Sequence, residues 1–216
     1  MPSARPLTIL EEFLLFALDE KMGEFYPMTR SVMDAVTACA VLMDLMKLGR
    51  VDCDLRHLFV VSARPTGDDI LDSALQALAL DPVRATRAII DELRFVAEEG
   101  EALREHGLHR LLQRGILESD QLNKLRFPAH EDHEIHLTRL RILDVVLGDE
   151  APDPGDVALV ALANACGLFR QVLSAREFEH AAPRIAQVAR LDILGRVLTE
   201  LVADIEASIA MASGLR

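Results

Sequence analysis

The chain has 216 residues, half of them apolar; that length suits one compact core, and that apolar share excludes a disordered chain. Acidic residues outnumber lysine plus arginine by 35 to 23, for a formal charge of -12, and a body of that sign repels polyanions and disfavours nucleic-acid binding. Only three of the basic residues are lysines (Lys21, Lys47 and Lys124), so any anion site must be built from arginine forks, which suit bidentate phosphate contacts.

Thr8 followed by Glu11 forms a capping box, and Phe13, Leu14, Phe16 and Leu18 predict a central, largely buried first helix. Asp19 to Pro27 reads as a turn or short hairpin carrying Phe25 and Tyr26, the only tyrosine. A second box, Ser31 to Asp34, predicts a helix from Ser31 to Leu48 that Gly49 stops. Arg50 to Asp54 and Leu58 to Ser62 then read as a small hairpin. Asp68 or Asp69 caps a helix through Leu80.

After Asp81 and Pro82 the apolar spacing of Ile89, Ile90, Leu93 and Val96 predicts a helix to Gly100, and another runs from Glu101 to Arg114 with Gly115 as its stop. The stretches Leu45 to Val51 and Leu111 to Leu117 echo each other as helix end, cap glycine and apolar strand start. Leu122 to Phe127 reads as a hairpin arm ended by Pro128, a helix spans about His133 to Leu147, and Gly148 to Gly155 is a loop. Two further helical segments run roughly from Asp156 to Leu173 and from Leu191 to Met211. The fold class expected is mainly α: a single compact helical domain with short β-hairpins, spanning residues 7 to 212 behind a short N-terminal tail, residues 1 to 6.

Cys39, Cys53 and Cys166 contain no CxxC pair and an odd count leaves one unpaired, as expected of a reduced, cytoplasmic chain. Cys39 and Cys166 read as small core residues. Glu11 and Glu12 interrupt the first apolar run, so no secretory signal is expected. The longest uncharged apolar run, Val157 to Phe169, falls short of the roughly 20 residues of a spanning helix. Membrane contact is therefore expected only peripherally.

His130, His133 and His136, interleaved with Glu131, Asp132 and Glu134, are the densest set of metal-capable side chains. They lack HExxH spacing, and an exposed acidic helix start accounts for them without a metal. No metal or other cofactor is expected. His106, His109, Arg104, Arg110 and Arg114 share one predicted helix with Arg94 nearby, a set able to face a phosphate or to pair with the neighbouring glutamates. No GxSxG elbow, Walker A loop or GxGxxG occurs, so no enzyme activity is expected. The helix-to-hairpin units also fit a winged helix, but no basic recognition helix is present.

Leu7 to Leu15 followed by Asp19-Glu20-Lys21-Met22-Gly23 resembles the opening of the Golgi phosphoprotein 3 family. The order continues through Leu48-Gly49-Arg50-Val51, Ala63-Arg64-Pro65-Thr66-Gly67-Asp68 with Leu71-Asp72, and Leu111 to Leu117. The resemblance implies a non-enzymatic adaptor that binds phosphatidylinositol 4-phosphate in eukaryotic members, inserts an apolar loop and holds glycosyltransferase tails. The family's later pair of phosphate-pocket arginines falls on Glu101 and Arg104, its second-helix arginine on Ala38, and the chain has no tryptophan. The expected ligand-binding residues are accordingly Arg104, Tyr26, Arg30 and Arg110, with an anionic lipid headgroup or a partner protein's tail as the ligand. Leu122, Leu125 and Phe127 would form the membrane arm or a homo-oligomer contact. A protein-binding scaffold or oligomer with a decayed lipid pocket is one alternative, and an unrecognised metalloprotein or enzyme centred on His130, His133 and His136 is another. The preference for arginine over lysine and the abundance of alanine point to a GC-rich bacterial genome.

Overall fold

A computed structural model of the chain describes residues 5–19, 22–94, 103–118, 133–148 and 151–214. Its helices and strands follow in the order α1 Ile9–Phe16, α2 Arg30–Lys47, β1 Val51–Cys53, β2 His57–Val60, α3 Asp69–Ala79, β3 Val83–Ala85, α4 Thr86–Leu93 and α5 Leu103–Gln113. Four of the five helices that follow are α6 His133–Leu147, α7 Pro154–Ala165, α8 Phe169–Val172 and α9 Ala175–Ala189; the last is α10 Ile193–Gly214. The expected mainly helical class is what the chain adopts.

The core is built around α1 and α2. Thr8 and Glu11 close the expected capping box, and all but Glu12 of α1 is buried. The first turn of α1 is finished from outside: the buried carboxylate of Asp44, on α2, accepts from the N–H groups of Ile9 (2.9 Å) and Leu10 (3.2 Å). Burial pushes that carboxyl up to about 6 even though both N–H bonds favour its charged form. Small residues (Ala35, Ala38, Cys39 and Ala40) let α2 be buried on every side, and it packs against α1, α3, α4, α5, α7 and α10. Burial of the Cys39 thiol raises its pKa, so it behaves as a core group.

The echo between the ends of α2 and α5 has one cause. Gly49 (φ 63°) and Gly115 (φ 68°) take the left-handed conformation. Gly49 N–H bonds Met46 O and Arg50 N–H bonds Leu45 O; Gly115 N–H bonds Leu112 O and Ile116 N–H bonds Leu111 O. Each is the two-bond closure that satisfies the last carbonyls of a helix. Gly167 (φ 68°) repeats it, with Leu168 N–H on Ala163 O. That third closure splits the expected Asp156–Leu173 helix into α7 and α8.

Three other expectations are corrected. Thr29, whose hydroxyl accepts from Val32 N–H, caps α2, so the helix starts at Arg30 and the Ser31–Asp34 box does not form. The small hairpin gains a third strand, β3, antiparallel to β2 with Leu58 opposite Arg84. Pro82 accepts from Val60 N–H and directs the chain along the free edge of β2 before α4 begins at Thr86. Finally α9 occupies a stretch for which no helix was expected. Its Ser174–Glu177 capping box was a legible signal, whereas its polar face and Pro183 obscured the helix.

The C-terminal half is helix on helix: α7 packs against α9 and α10, and Gly195 lets α10 approach α7 so closely that a Cβ there would lie 2.5 Å from Ala161 Cβ. Phe16 meets Phe169 edge-on at 5.8 Å and ties α8 to the central helix.

Candidate functional site

Arginine and carboxylate side chains meet at two places along α5. At the first, Arg110 donates to both oxygens of Asp68 (2.7 and 2.9 Å) and to Asp69. One helical turn on, Arg114 straddles Glu11 at 3.1 and 3.0 Å and donates to Arg5 O at 2.6 Å. Arg5 returns to Asp68 at 2.6 Å. The Asp68 side chain is fully buried and also caps α3 through Leu71 N–H. Burial alone would raise its pKa; the Arg110 hydrogen bonds, the Leu71 N–H and the charges of Arg110 and Arg5 overcome burial and hold it below the usual carboxylate range.

The loop before α3 is equally saturated. Thr66 donates its N–H and its hydroxyl to Asp72 Oδ1, and Gly67, at φ 82°, donates to Asp72 Oδ2. The Pro65-Thr66-Gly67-Asp68 stretch therefore builds a helix start and an ionic seam.

The second meeting place lies where α2 begins and where it packs against α4 and α5. Arg30 Nε stands 3.7 Å from Asp34 Oδ2. Arg104 of α5 donates to Glu105 at 2.8 Å, and Arg94, just past α4, donates to Asp91 at 2.8 Å. All three arginines lie near enough to Asp34 to favour its charged form, yet burial of the carboxyl outweighs them and raises its pKa. Asp34 Oδ1 and Arg104 Nε are buried and have no hydrogen-bond partner among the described residues. Asp34 itself is less completely satisfied than Asp68.

Of the four expected ligand-binding residues, Arg30 and Arg104 both act on the charge of Asp34. Arg110 belongs to the seam and lines a separate cavity of about 340 Å³ between α3, α4 and α5, with Ser73, Leu93, Leu103, His106 and His109. Tyr26 sits beside Arg139 of α6, which lies 5.8 Å from its ring centroid and donates to its hydroxyl at 3.5 Å. The residue that sequence reasoning missed is Asp34, read only as a cap; its i to i+4 spacing from Arg30 was the available signal.

A protein-family profile described as Golgi phosphoprotein 3 (GPP34) matches residues 9–205. The chain belongs to that family. A search of curated proteins finds no match. Ala38, where the family's second-helix arginine was expected to fall, is fully buried in α2. Of the later pair, Arg104 lies in the cluster and Glu101 falls outside the described residues. Leu122, Leu125, Phe127 and His130 also lie outside them. His133 opens α6 and His136 is exposed on it. Among the described residues no three His, Cys, Asp or Glu side chains gather to hold a metal, and no helix is long and apolar enough to cross a membrane.

Proposed function

We propose that this protein is a non-catalytic binding domain that takes a phosphate-bearing anionic ligand, a phosphoinositide headgroup on its family's pattern, at the Arg30–Arg94–Arg104 cluster, and so attaches peripherally to a membrane. One observation supports the reading: Arg30 stands 3.7 Å from Asp34 at the start of α2, and the charges of Arg104 on α5 and Arg94 past α4 also act on that carboxyl, on a body whose net charge is strongly negative. Arginine forks are the side chains that grip a phosphate with two parallel bonds. The local positive field also gives an anion a defined place to land on a surface that otherwise repels it. Membership of the Golgi phosphoprotein 3 family supports both the adaptor role and the lack of turnover.

Sedimentation with phosphatidylcholine vesicles, with and without phosphatidylinositol 4-phosphate, tests this. Wild type should pellet with the phosphoinositide vesicles and do so less as salt is raised. Arg104→Glu should stay in the supernatant; equal pelleting of that variant would remove this cluster from the interface.

The scaffold reading is favoured by one feature. Leu80 is 89% exposed at the end of α3, and Val61 and Val83 are exposed beside the β2–β3 pairing. Apolar side chains left in water around one small sheet suit contact with a second copy. Light scattering on Leu80→Glu checks it: an unchanged mass that is already monomeric in wild type rejects the dimer.

A further inference from the structure

The end of α2 and the starts of α1, α7 and α10 converge on a cleft of about 460 Å³. Its floor is apolar: Ile9, Met43 and Ala158 are buried, and Met46 is half-buried. Its rim carries charges of both signs, from Lys47, Asp153 and Asp192. That volume and that division of labour are the usual anatomy of a small-molecule site. A Cβ built on Gly155 would lie 3.2 Å from Asp153 Oδ1 and 3.8 Å from Lys47 Nζ, so both groups reach the same gap above that glycine. Among the described residues the Lys47 ammonium nevertheless forms no ion pair; its charge acts on Glu12 and Asp44 only at longer range. Asp153 and Asp192 each cap a helix through Oδ1, accepting from Asp156 N–H (2.8 Å) and Gly195 N–H (2.7 Å). Burial raises the Asp192 pKa against its backbone N–H bonds, so a positive charge beside it would be favourable.

A ligand with only a carboxylate would meet two aspartates here, and one with only an ammonium would meet Lys47. A ligand that carries both charges a few atoms apart complements the whole rim, and an apolar branch on it covers the floor. We propose that this cleft binds a free α-amino acid with an apolar side chain. Its carboxylate lies on Lys47 Nζ, its ammonium on Asp153 with Asp192 adding to the negative field, and its side chain on Ile9, Met43 and Met46. Methionines are unbranched and adaptable, so the floor accepts leucine, methionine or phenylalanine alike. The cleft shares no lining residue with the Arg30–Arg94–Arg104 cluster, so this ligand is independent of the phosphate-bearing one.

Titration calorimetry with L-leucine, isocaproate, isoamylamine and L-serine is the test. Isocaproate is leucine without its ammonium, isoamylamine is leucine without its carboxylate, and serine keeps both charges without the apolar side chain. Leucine should bind, and each of the other three should bind weaker by roughly tenfold or more. Lys47→Met removes the ammonium and keeps an unbranched stem over the floor, and should weaken leucine by roughly tenfold. Because Lys47 also acts on Glu12 and Asp44, Gly155→Ala is a second variant. Gly155 lies in the first turn of α7 without a left-handed φ, so alanine suits the helix, while its methyl fills the gap between Lys47 and Asp153 and should weaken leucine by a similar factor. Urea unfolding establishes that each variant folds. Absence of leucine binding to wild type at millimolar concentration overturns the proposal, and so does isocaproate, isoamylamine or serine binding as tightly as leucine. Unchanged leucine affinity in folded Lys47→Met, or in folded Gly155→Ala should Lys47→Met not fold, puts the amino acid elsewhere and overturns this site.

Discussion

Asp68 and Asp34 both lie in arginine clusters that involve α5, and the two clusters differ in how completely they are satisfied. Asp68 is fully enclosed and accepts from Arg5, Arg110 and Leu71 N–H, so burial is outweighed and its pKa falls. Asp34 meets one exposed arginine at long range, so burial prevails and its pKa rises. Identical residue types thus give a fully satisfied carboxylate at one place and an incompletely satisfied one at the other. Geometry separates the two: bidentate forks with filled lone pairs offset the burial of Asp68, and a single long contact does not offset that of Asp34.

The sharpest way to break the comparison is to remove the saturated carboxylate. Asp68→Ala leaves Arg110 with Asp69 alone, frees the half-exposed Arg5, uncaps α3, and should lower stability by about 2–4 kcal/mol in urea unfolding. A loss under about 1 kcal/mol would place the seam in the same loose class as the Asp34 cluster.

Glu12 supplies an intermediate case. Arg141 reaches it at 2.5 Å but also donates to Asp156 at 2.6 Å, so one cation serves two carboxylates. Burial, opposed by Arg141 and Lys47 and reinforced by Asp156 and Asp44, lifts Glu12 to about 7. A carboxyl raised on folding binds its proton more tightly in the native state, so its contribution is complete below about 4.5 and is lost as pH rises through about 7. Wild type should therefore lose stability between about pH 4.5 and pH 7, and Glu12→Gln should shrink that loss by on the order of 1–2 kcal/mol. Asp44, raised in the same direction to about 6, keeps part of the slope in the variant. Urea midpoints across that pH range provide the check, and parallel profiles would show that Glu12 titrates normally.

Thr8→Ala isolates the helix-start half of the seam. It removes one side of the Thr8–Glu11 box while leaving Arg114 on Glu11, and thermal unfolding should report about 1 kcal/mol. Arg30→Ala closes the series. Its side chain is 76% exposed, so stability should change by less than about 0.5 kcal/mol, while pelleting with phosphoinositide vesicles should fall strongly. A large stability loss with unchanged pelleting would invert the assignment of the two clusters.

Much of the helical frame was legible because its signals are local. The Thr8 box and the glycine stops at 49 and 115 act within a few residues, and each forms as expected. The Ser174–Glu177 box was equally local and was obscured only by the polar composition of α9. β3 was not legible, since three residues without alternation become a strand only because β2 offers a free edge. Gly167 was visible in the sequence, but an apolar run on both sides hid its role as a stop. At the candidate site, Arg104 was legible by type and by the position the resemblance implies, and Arg30 by type alone. Asp34 was legible only through its i to i+4 spacing from Arg30, and its burial depends on how α2 packs.

By itself, then, the sequence determined where most helices begin and end, that the interior is helical, and which family the chain joins, because caps, glycine stops and ordered motifs are short-range properties of the chain. Only the tertiary structure decided which arginines are occupied. Arg110 finds Asp68 across 42 residues and Arg114 finds Glu11 across 103, and an ion pair at that separation exists only once the backbone between has folded.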